Sequence, residues 1–236
     1  MQAHDSDWLD ALHLASASLP IGGFAYSQGL EQACQLGDVH DAQSAQTWIE
    51  DYLLLVLARQ EMPWWIAVYR ASLKRDWPAV RDATNTLCAL RETAELRLES
   101  RQMGHAFVRL YDQWFGHGTE ACAVDSRTMA SELALVLQTD YTAAHGALCG
   151  LRQMPITLAL TAWLWSWLDN QVLAAVKLVP LGQRDGQRVL HAIKPKISQA
   201  VEIALATPMS HAGSAPIGLA MASTQHETQY ARLFRS

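Results

Sequence analysis

The sequence predicts an all-α protein, a single-domain helical bundle of about ten helices over residues 1–236 with a flexible tail from about residue 207. Three observations carry this prediction. Apolar residues recur at spacings of three and four in segment after segment; no stretch alternates with period two for long enough to be a strand; and Gly, Pro, Ser and Thr collect in short breaks between the periodic segments. At about 150 residues per domain, 236 residues allow one large domain or two small ones, and either buries a sizeable core. Hydrophobic residues make up 50% of the chain and charged residues 17%, below the usual charged share of about 25%. That balance excludes a disordered chain and implies surface that something covers.

Along the chain, a loop is expected around residues 17–26. Trp48, Ile49, Tyr52, Leu53 and Val56 form a helical stripe between Asp41, a candidate N-cap, and Pro63, expected to begin the next helix at its first position. Leu87, Leu90, Ala94 and Leu98 repeat the stripe. Phe107, Val108, Tyr111 and Trp114 resume it after an interruption at Arg101, Gln102 and Gly104, and Gly116 and Gly118 are expected to stop it before a loop over 116–126. The apolar run 156–168 is 13 residues long, against about 20 for a membrane span, and reads as a buried core helix. In it, Trp163, Trp165 and Trp167 point to different sides, which implies burial on several faces. Val189, Ile193, Ile197 and Val201 step by four through Pro195, which should kink or split that helix. A last loop is expected over 207–225.

Composition also excludes functions. A net charge of -5 without a Lys/Arg run leaves no electrostatic footprint for nucleic acid. Cys34, Cys88, Cys122 and Cys149 form no CxxC or CxxxC, so they read as free thiols in a reducing compartment rather than a zinc site or disulfide framework. The acidic first residues lack the basic segment of a secretory signal, so a cytoplasmic location without membrane attachment is expected. There is no GxxxxGK[ST], no GxGxxG after a strand and no HExxH; one Asp10–His13 pair does not supply the repeated Glu-x-x-His of a di-iron bundle. The nine histidines are scattered singly, apart from His226 beside Glu227. No catalytic residue, cofactor or fixed metal site is therefore expected. Ala25-Tyr26-Ser27-Gln28-Gly29 has the outline of a nucleophile elbow, but Pro20-Ile21-Gly22-Gly23 stands where that turn needs a strand.

Three stretches stand out. LPIGGFAYSQGLE (19–31) places two glycines and two aromatics in a loop before a helix, with Pro20, Gly22 and Gly23 as turn residues. AAVKLVPLGQ (174–183) puts Lys177 at the negative end of an apolar helix, which Pro180 and Gly182 then stop. The closing HETQYARLFRS (226–236) joins Tyr230, Leu233 and Phe234 with Arg232 and Arg235, a composition typical of interface hot spots.

Together these stretches resemble the urease accessory protein family UreF, from about Leu12 to Ser236; residues 112–130 carry no matching motif. The resemblance implies an all-helical homodimer that joins UreD (UreH in some bacteria) and the GTPase UreG in a complex delivering nickel to apo-urease. In such a chaperone the nickel is handled transiently. It further implies that Tyr230, Arg232, Leu233, Phe234 and Arg235 meet UreD. Lys177, Phe24, Tyr26, Ser27 and Glu31 are implied to belong to the surface that meets UreG and gates its GTPase. Two other readings are a stand-alone helical binding or structural protein, expected to be soluble without partners, and a Ser27 hydrolase, expected to react with a fluorophosphonate probe.

Overall fold

The computed structural model describes residues 4–115 and 140–236, with the backbone alone for 111–115. Helices α1 (Asp5–Leu14) and α2 (Leu30–Leu36) flank the first loop, which holds a 3-10 turn at Gly23–Ala25. Next come α3 (Ala42–Asp51), a π-helical segment (Tyr52–Glu61) and α4 (Met62–Leu73), followed by α5 (Trp77–Leu90) and α6 (Ala94–Phe115). After the undescribed residues come α7 (Tyr141–Leu151), α8 (Ile156–Leu178), α9 (Gln183–Ala206), a 3-10 turn at Met209–His211 and α10 (Ile217–His226). Among the described residues there is no strand, and the fold is all-α. No described helix is long and apolar enough to cross a membrane.

The centre of the molecule is α7, buried at each residue from Tyr141 to Gly150 and packed against α4 and α6. No periodic pattern announces this helix. Its glycines set the packing distance instead, because a Cβ at Gly150 would lie 2.4 Å from the Tyr69 carbonyl oxygen of α4. Helix α8 packs against α9 and α1, and buries Leu158, Leu160, Leu164 and Leu168 together with Trp163 and Trp167, while Trp165 is half-buried. The core reading of the apolar run and the burial of its tryptophans on several sides both hold.

Asp41 caps α3 as expected: it accepts from the Ser44 amide at 2.8 Å while the Ser44 hydroxyl accepts from the Asp41 amide at 3.0 Å. Four other expectations are corrected. Pro63 does not begin a separate helix, because the chain runs on from α3 to α4 through the π segment, where the Met62 amide reaches back five residues to the Leu57 carbonyl. That wider turn accommodates a residue without an N–H, whose ring would crowd the carbonyl four residues back. The stripe from Leu87 to Leu98 is broken at residues 91–93, where Arg91 turns extended and sends its guanidinium inward; Leu98 is exposed. Around Gly104 the helix is uninterrupted, and the missing side chain admits the Asp140–Tyr141 backbone, 2.9 Å from where a Cβ would sit. Helix α9 is likewise not split at Pro195, which is exposed along with His191, so solvent replaces the lost bond.

The segment from about 207, expected as loop and flexible tail, contains the Met209–His211 turn and α10, and its last residues are packed against α2 and α6. Its Pro, Gly and Ser residues form the connection, while the IGLAMAS run has enough helix formers to fold. The expected stop at Gly116 and Gly118, the 116–126 loop and Cys122 lie outside the described residues.

Candidate functional site

The three stretches singled out in the sequence meet at one place. The loop 19–31 turns through left-handed backbone at Gly22 (φ 81°), Gln28 (φ 55°) and Gly29 (φ 83°), the last two delivering the chain into α2. That turn aims successive amides at one point: Ser27 N and Gln28 N donate to the Ser236 main-chain oxygen at 2.7 and 3.0 Å, and the Ser27 hydroxyl donates to the same oxygen at 2.7 Å. The Arg235 amide donates to the Ala25 carbonyl at 2.8 Å. Pro20 and Pro180 each sit inside a tight turn, closed by Ile21 N to Leu19 O and by Leu181 N to Val179 O. Gly23 takes an ordinary negative φ, and its carbonyl accepts from Asn170 Nδ2 at 2.9 Å. Gly182 is the N-cap of α9.

Glu31 is the anchor of the arrangement. Its carboxylate is 5% exposed and accepts from the Leu233 amide at 2.7 Å, the Phe234 amide at 2.8 Å and Gln229 Nε2 at 3.2 Å. His226 Nε2 stands 3.3 Å from the same carboxylate, and His226 Nδ1 stands 2.6 Å from Glu95 Oε2. The other Glu95 oxygen accepts from Arg232. Beneath them, Glu99 accepts from Gln28 Nε2 at 2.7 Å and from the Ser236 hydroxyl at 2.6 Å; burial pushes its carboxyl up to about 7. Tyr26 donates to Gln102 at 2.6 Å, and its phenol is raised by burial and then by the Glu99 charge. The loop is tied to α8 through Gln28, which accepts from Trp167 Nε1 at 2.7 Å.

Lys177 occupies the last turn of α8, and its ammonium lies 5.5 Å above the ring of Phe234. Cation and ring attract at this separation. So one contact joins the helix end to the tail.

Of the five positions implied to lie on the GTPase-facing surface, Phe24 and Lys177 are exposed, while Tyr26, Ser27 and Glu31 are covered by the tail. In the tail, Phe234 is buried, Tyr230, Leu233 and Arg235 are exposed, and Arg232, at the surface, turns its guanidinium back onto Glu95 and the Glu227 carbonyl. Sequence reading gave no role to His226, Glu95, Glu99 or Gln28, although His226 and Gln28 stand inside two of the motifs it singled out. Ser27 is 0% exposed, with its hydroxyl committed to Ser236. No nucleophile elbow is formed.

Behind the loop lies a cavity of about 290 Å3, lined in part by Tyr52, Glu61, Arg91, Trp163 and Trp167. At its inner end Arg91 joins Asp140 and Glu61, with Thr142 donating to Glu61 at 3.0 Å. Burial disfavours the charge on Arg91, yet Asp140 and Glu61 outweigh it and strengthen the guanidinium's hold on its proton; burial raises Glu61. Among the described residues, no group of three or more His, Cys, Asp or Glu is placed to hold a metal ion. The arrangement offers polar and aromatic contact surface rather than a reacting centre.

A family model described as UreF matches residues 39–194. Curated relatives named urease accessory protein UreF include that of Cupriavidus pinatubonensis, 42% identical over 232 residues and 97% of each chain. The protein of that name from Cupriavidus necator is 44% identical over 234 residues and 97% of each chain. A bifunctional urease accessory protein UreEF of Bordetella bronchiseptica is 43% identical over 232 residues, covering 95% of this chain and 51% of that protein. The relatives' name describes an accessory protein of urease. On a family model spanning most of its length and relatives above 40% identity along nearly all of it, the chain belongs to the UreF family of urease accessory proteins.

Proposed function

We propose that this chain bridges a UreD/UreH-type partner and the GTPase UreG in a cytoplasmic complex that delivers nickel to apo-urease, and that it modulates the GTPase. The observation that carries the reading is the convergence of loop, helix end and tail. Tyr230, Leu233 and Arg235 of the tail are exposed, as are Phe24 and Lys177, and Arg232 lies at the surface bonded to Glu95. Aromatic, Leu and Arg side chains gathered on a locally rigid base are what a protein interface uses as anchors. We assign the tail side, including buried Phe234, to UreD/UreH and the Phe24–Lys177 side, braced from beneath by Tyr26, Ser27 and Glu31, to UreG. The UreEF relative, in which a UreF-like part is continuous with a further segment, supports work within a multi-protein assembly. Exposed Trp8, Leu9 and Leu12 on α1 support assembly too, including a homodimer. Nickel is cargo that the complex handles transiently.

A scaffold shifts a nucleotide-dependent equilibrium only by binding one state of the GTPase more tightly than the other. Lys177 offers a charged contact that supplies such a difference. Lys177→Ala is expected to fold normally and to alter UreG turnover and urease activation; full activation with unchanged turnover rejects that role. The test of the whole reading is co-purification with UreD and UreG of the full chain against a truncation after Gln225. The full chain is expected to elute with both partners and the truncation to lose UreD. Failure of the full chain to bind either one withdraws the reading in favour of a stand-alone helical protein.

A further inference from the structure

We propose that the cavity behind the first loop is a binding site for a small organic ammonium, held by the Asp169 carboxylate and the Tyr52 hydroxyl beside the rings of Trp163 and Trp167. The inference goes beyond the bridging role and does not depend on it. At about 290 Å3 the cavity stands at the lower end of the volumes that hold small molecules, about 300–1,000 Å3, and so suits a ligand of few atoms. Its lining includes exposed Phe24 and Leu173, which places its mouth at the surface.

One wall is the π-helical segment Tyr52–Glu61, which supplies Tyr52, Val56 and Gln60 at intervals of four. Wide turns of this kind are rare and are frequent at functional sites. Helix α8 adds Trp163, Trp167 and Asp169, and α7 adds Tyr141. Many polar groups around the cavity are already engaged: Arg91 with Asp140, Glu61 and the Leu87 carbonyl, Gln28 with Glu99 and Trp167, and Asn170 with the Gly23 carbonyl. The exceptions point to a ligand. Tyr52 and Tyr141 are buried, yet among the described residues neither hydroxyl has a hydrogen-bond partner, and the Trp163 N–H is buried without one. Buried polar groups in folded proteins are ordinarily paired, and an unpaired one costs free energy that a bound molecule recovers. Asp169, half-buried, also lacks a partner among the described residues; burial raises its carboxyl and no neighbouring cation offsets that.

Charge sets the sign of that molecule. Among the described residues the lining carries Glu61, Glu92, Glu99 and Asp169 against one basic side chain, Arg91, which Glu61 and Asp140 already share. Even with Glu99 protonated, Asp169 is left without a counter-charge, so a cation is attracted and an anion repelled. The walls favour an organic cation. Tyr52 and Trp167 have ring centroids 5.2 Å apart, and Tyr141 and Trp163 6.2 Å apart, so aromatic rings line the space next to the carboxylate, and an ammonium is drawn to such ring faces. A metal ion needs lone pairs instead, and no group of three or more His, Cys, Asp or Glu among the described residues supplies them. An ammonium with a short carbon chain matches both features: its N–H groups donate to Asp169 and to the Tyr52 oxygen, and its carbons meet the rings.

The test uses the full chain with n-butylammonium chloride as the probe and n-butanol as its neutral counterpart, in calorimetric titration and ligand-observed NMR at constant ionic strength. Butylammonium is expected to bind saturably, and butanol at least about tenfold more weakly. Asp169→Asn should weaken butylammonium binding about tenfold and Tyr52→Phe about threefold or more. Glu202→Gln, at an exposed carboxylate of α9 outside the cavity, should bind as the wild type does. Tyr52→Phe is also expected not to lower the melting temperature, because the hydroxyl it removes has no partner; a lower melting temperature with unchanged binding gives that hydroxyl to the fold and overturns its role. Absence of saturable binding, equal binding of butanol, or undiminished binding by both cavity variants overturns the proposal. Should one cavity variant not fold by circular dichroism, the other decides. Capture of UreD and UreG is a separate measurement, so failure here leaves the bridging role standing.

Discussion

Glu99 shows how a single side chain takes its character from its surroundings. Its carboxyl, buried between α2 and the tail, is pushed up to about 7, against an ordinary value of about 4.3. The folded chain therefore holds this proton more tightly than the unfolded chain. The resulting stability is fully present below the unfolded value and is lost as pH rises through the folded one. Glu99→Gln abolishes the titration, so the melting temperature of the variant relative to wild type is expected to be higher at pH 8 than at pH 5. The full difference is on the order of 3 kcal/mol at most; an equal offset at both pH values would show that Glu99 does not titrate there. Motif reading found Ser27 and Glu31 at this scale but assigned them to surface. It could not find Glu99 or His226, because their partners lie at Gln28, Ser236, Glu31 and Glu95, up to 195 positions away in the chain.

Helix boundaries were legible where local chemistry decides them. Asp41 with Ser44, Lys177 in the last turn of α8 and Pro180 behind it mark ends that backbone donors, acceptors and dipoles determine. Neither proline ends its helical stretch, since a π segment before Pro63 and solvent at Pro195 absorb what an isolated helix could not. Helix α7 escaped notice because it is buried all round, and a helix with no polar side carries no periodic signal. Its contact with α4 gives a direct test. Gly150→Ala gains helix propensity worth about 1 kcal/mol. Its methyl, however, would meet the Tyr69 carbonyl oxygen at 2.4 Å, a rigid backbone atom. Net destabilisation of about 1–3 kcal/mol is expected in urea unfolding, and an unchanged midpoint would mean that the α4–α7 spacing is soft.

Across the whole molecule, Arg91 is the tie between distant parts. It reaches the π segment through Glu61, the start of α7 through Asp140 and the end of α5 through the Leu87 carbonyl, all from a buried position. Arg91→Leu leaves two buried carboxylates without their cation, which should cost about 3–5 kcal/mol in unfolding free energy; a loss below about 1 kcal/mol would show that water reaches them. In the sequence nothing marked Arg91, which falls within the stripe from Leu87 to Leu98. The sequence by itself determined the helical class, the apolar run that becomes α8, the caps and turns, and the family through three motifs. Each of these depends on residues within a few positions of one another. Only the tertiary structure decided that loop, helix end and tail form one site, that Glu31 faces inward and that Arg91 is a core cation. Those outcomes come from packing and charge pairing between residues far apart in the chain, and desolvation gives a contact between such residues an energy that spacing along the sequence does not encode.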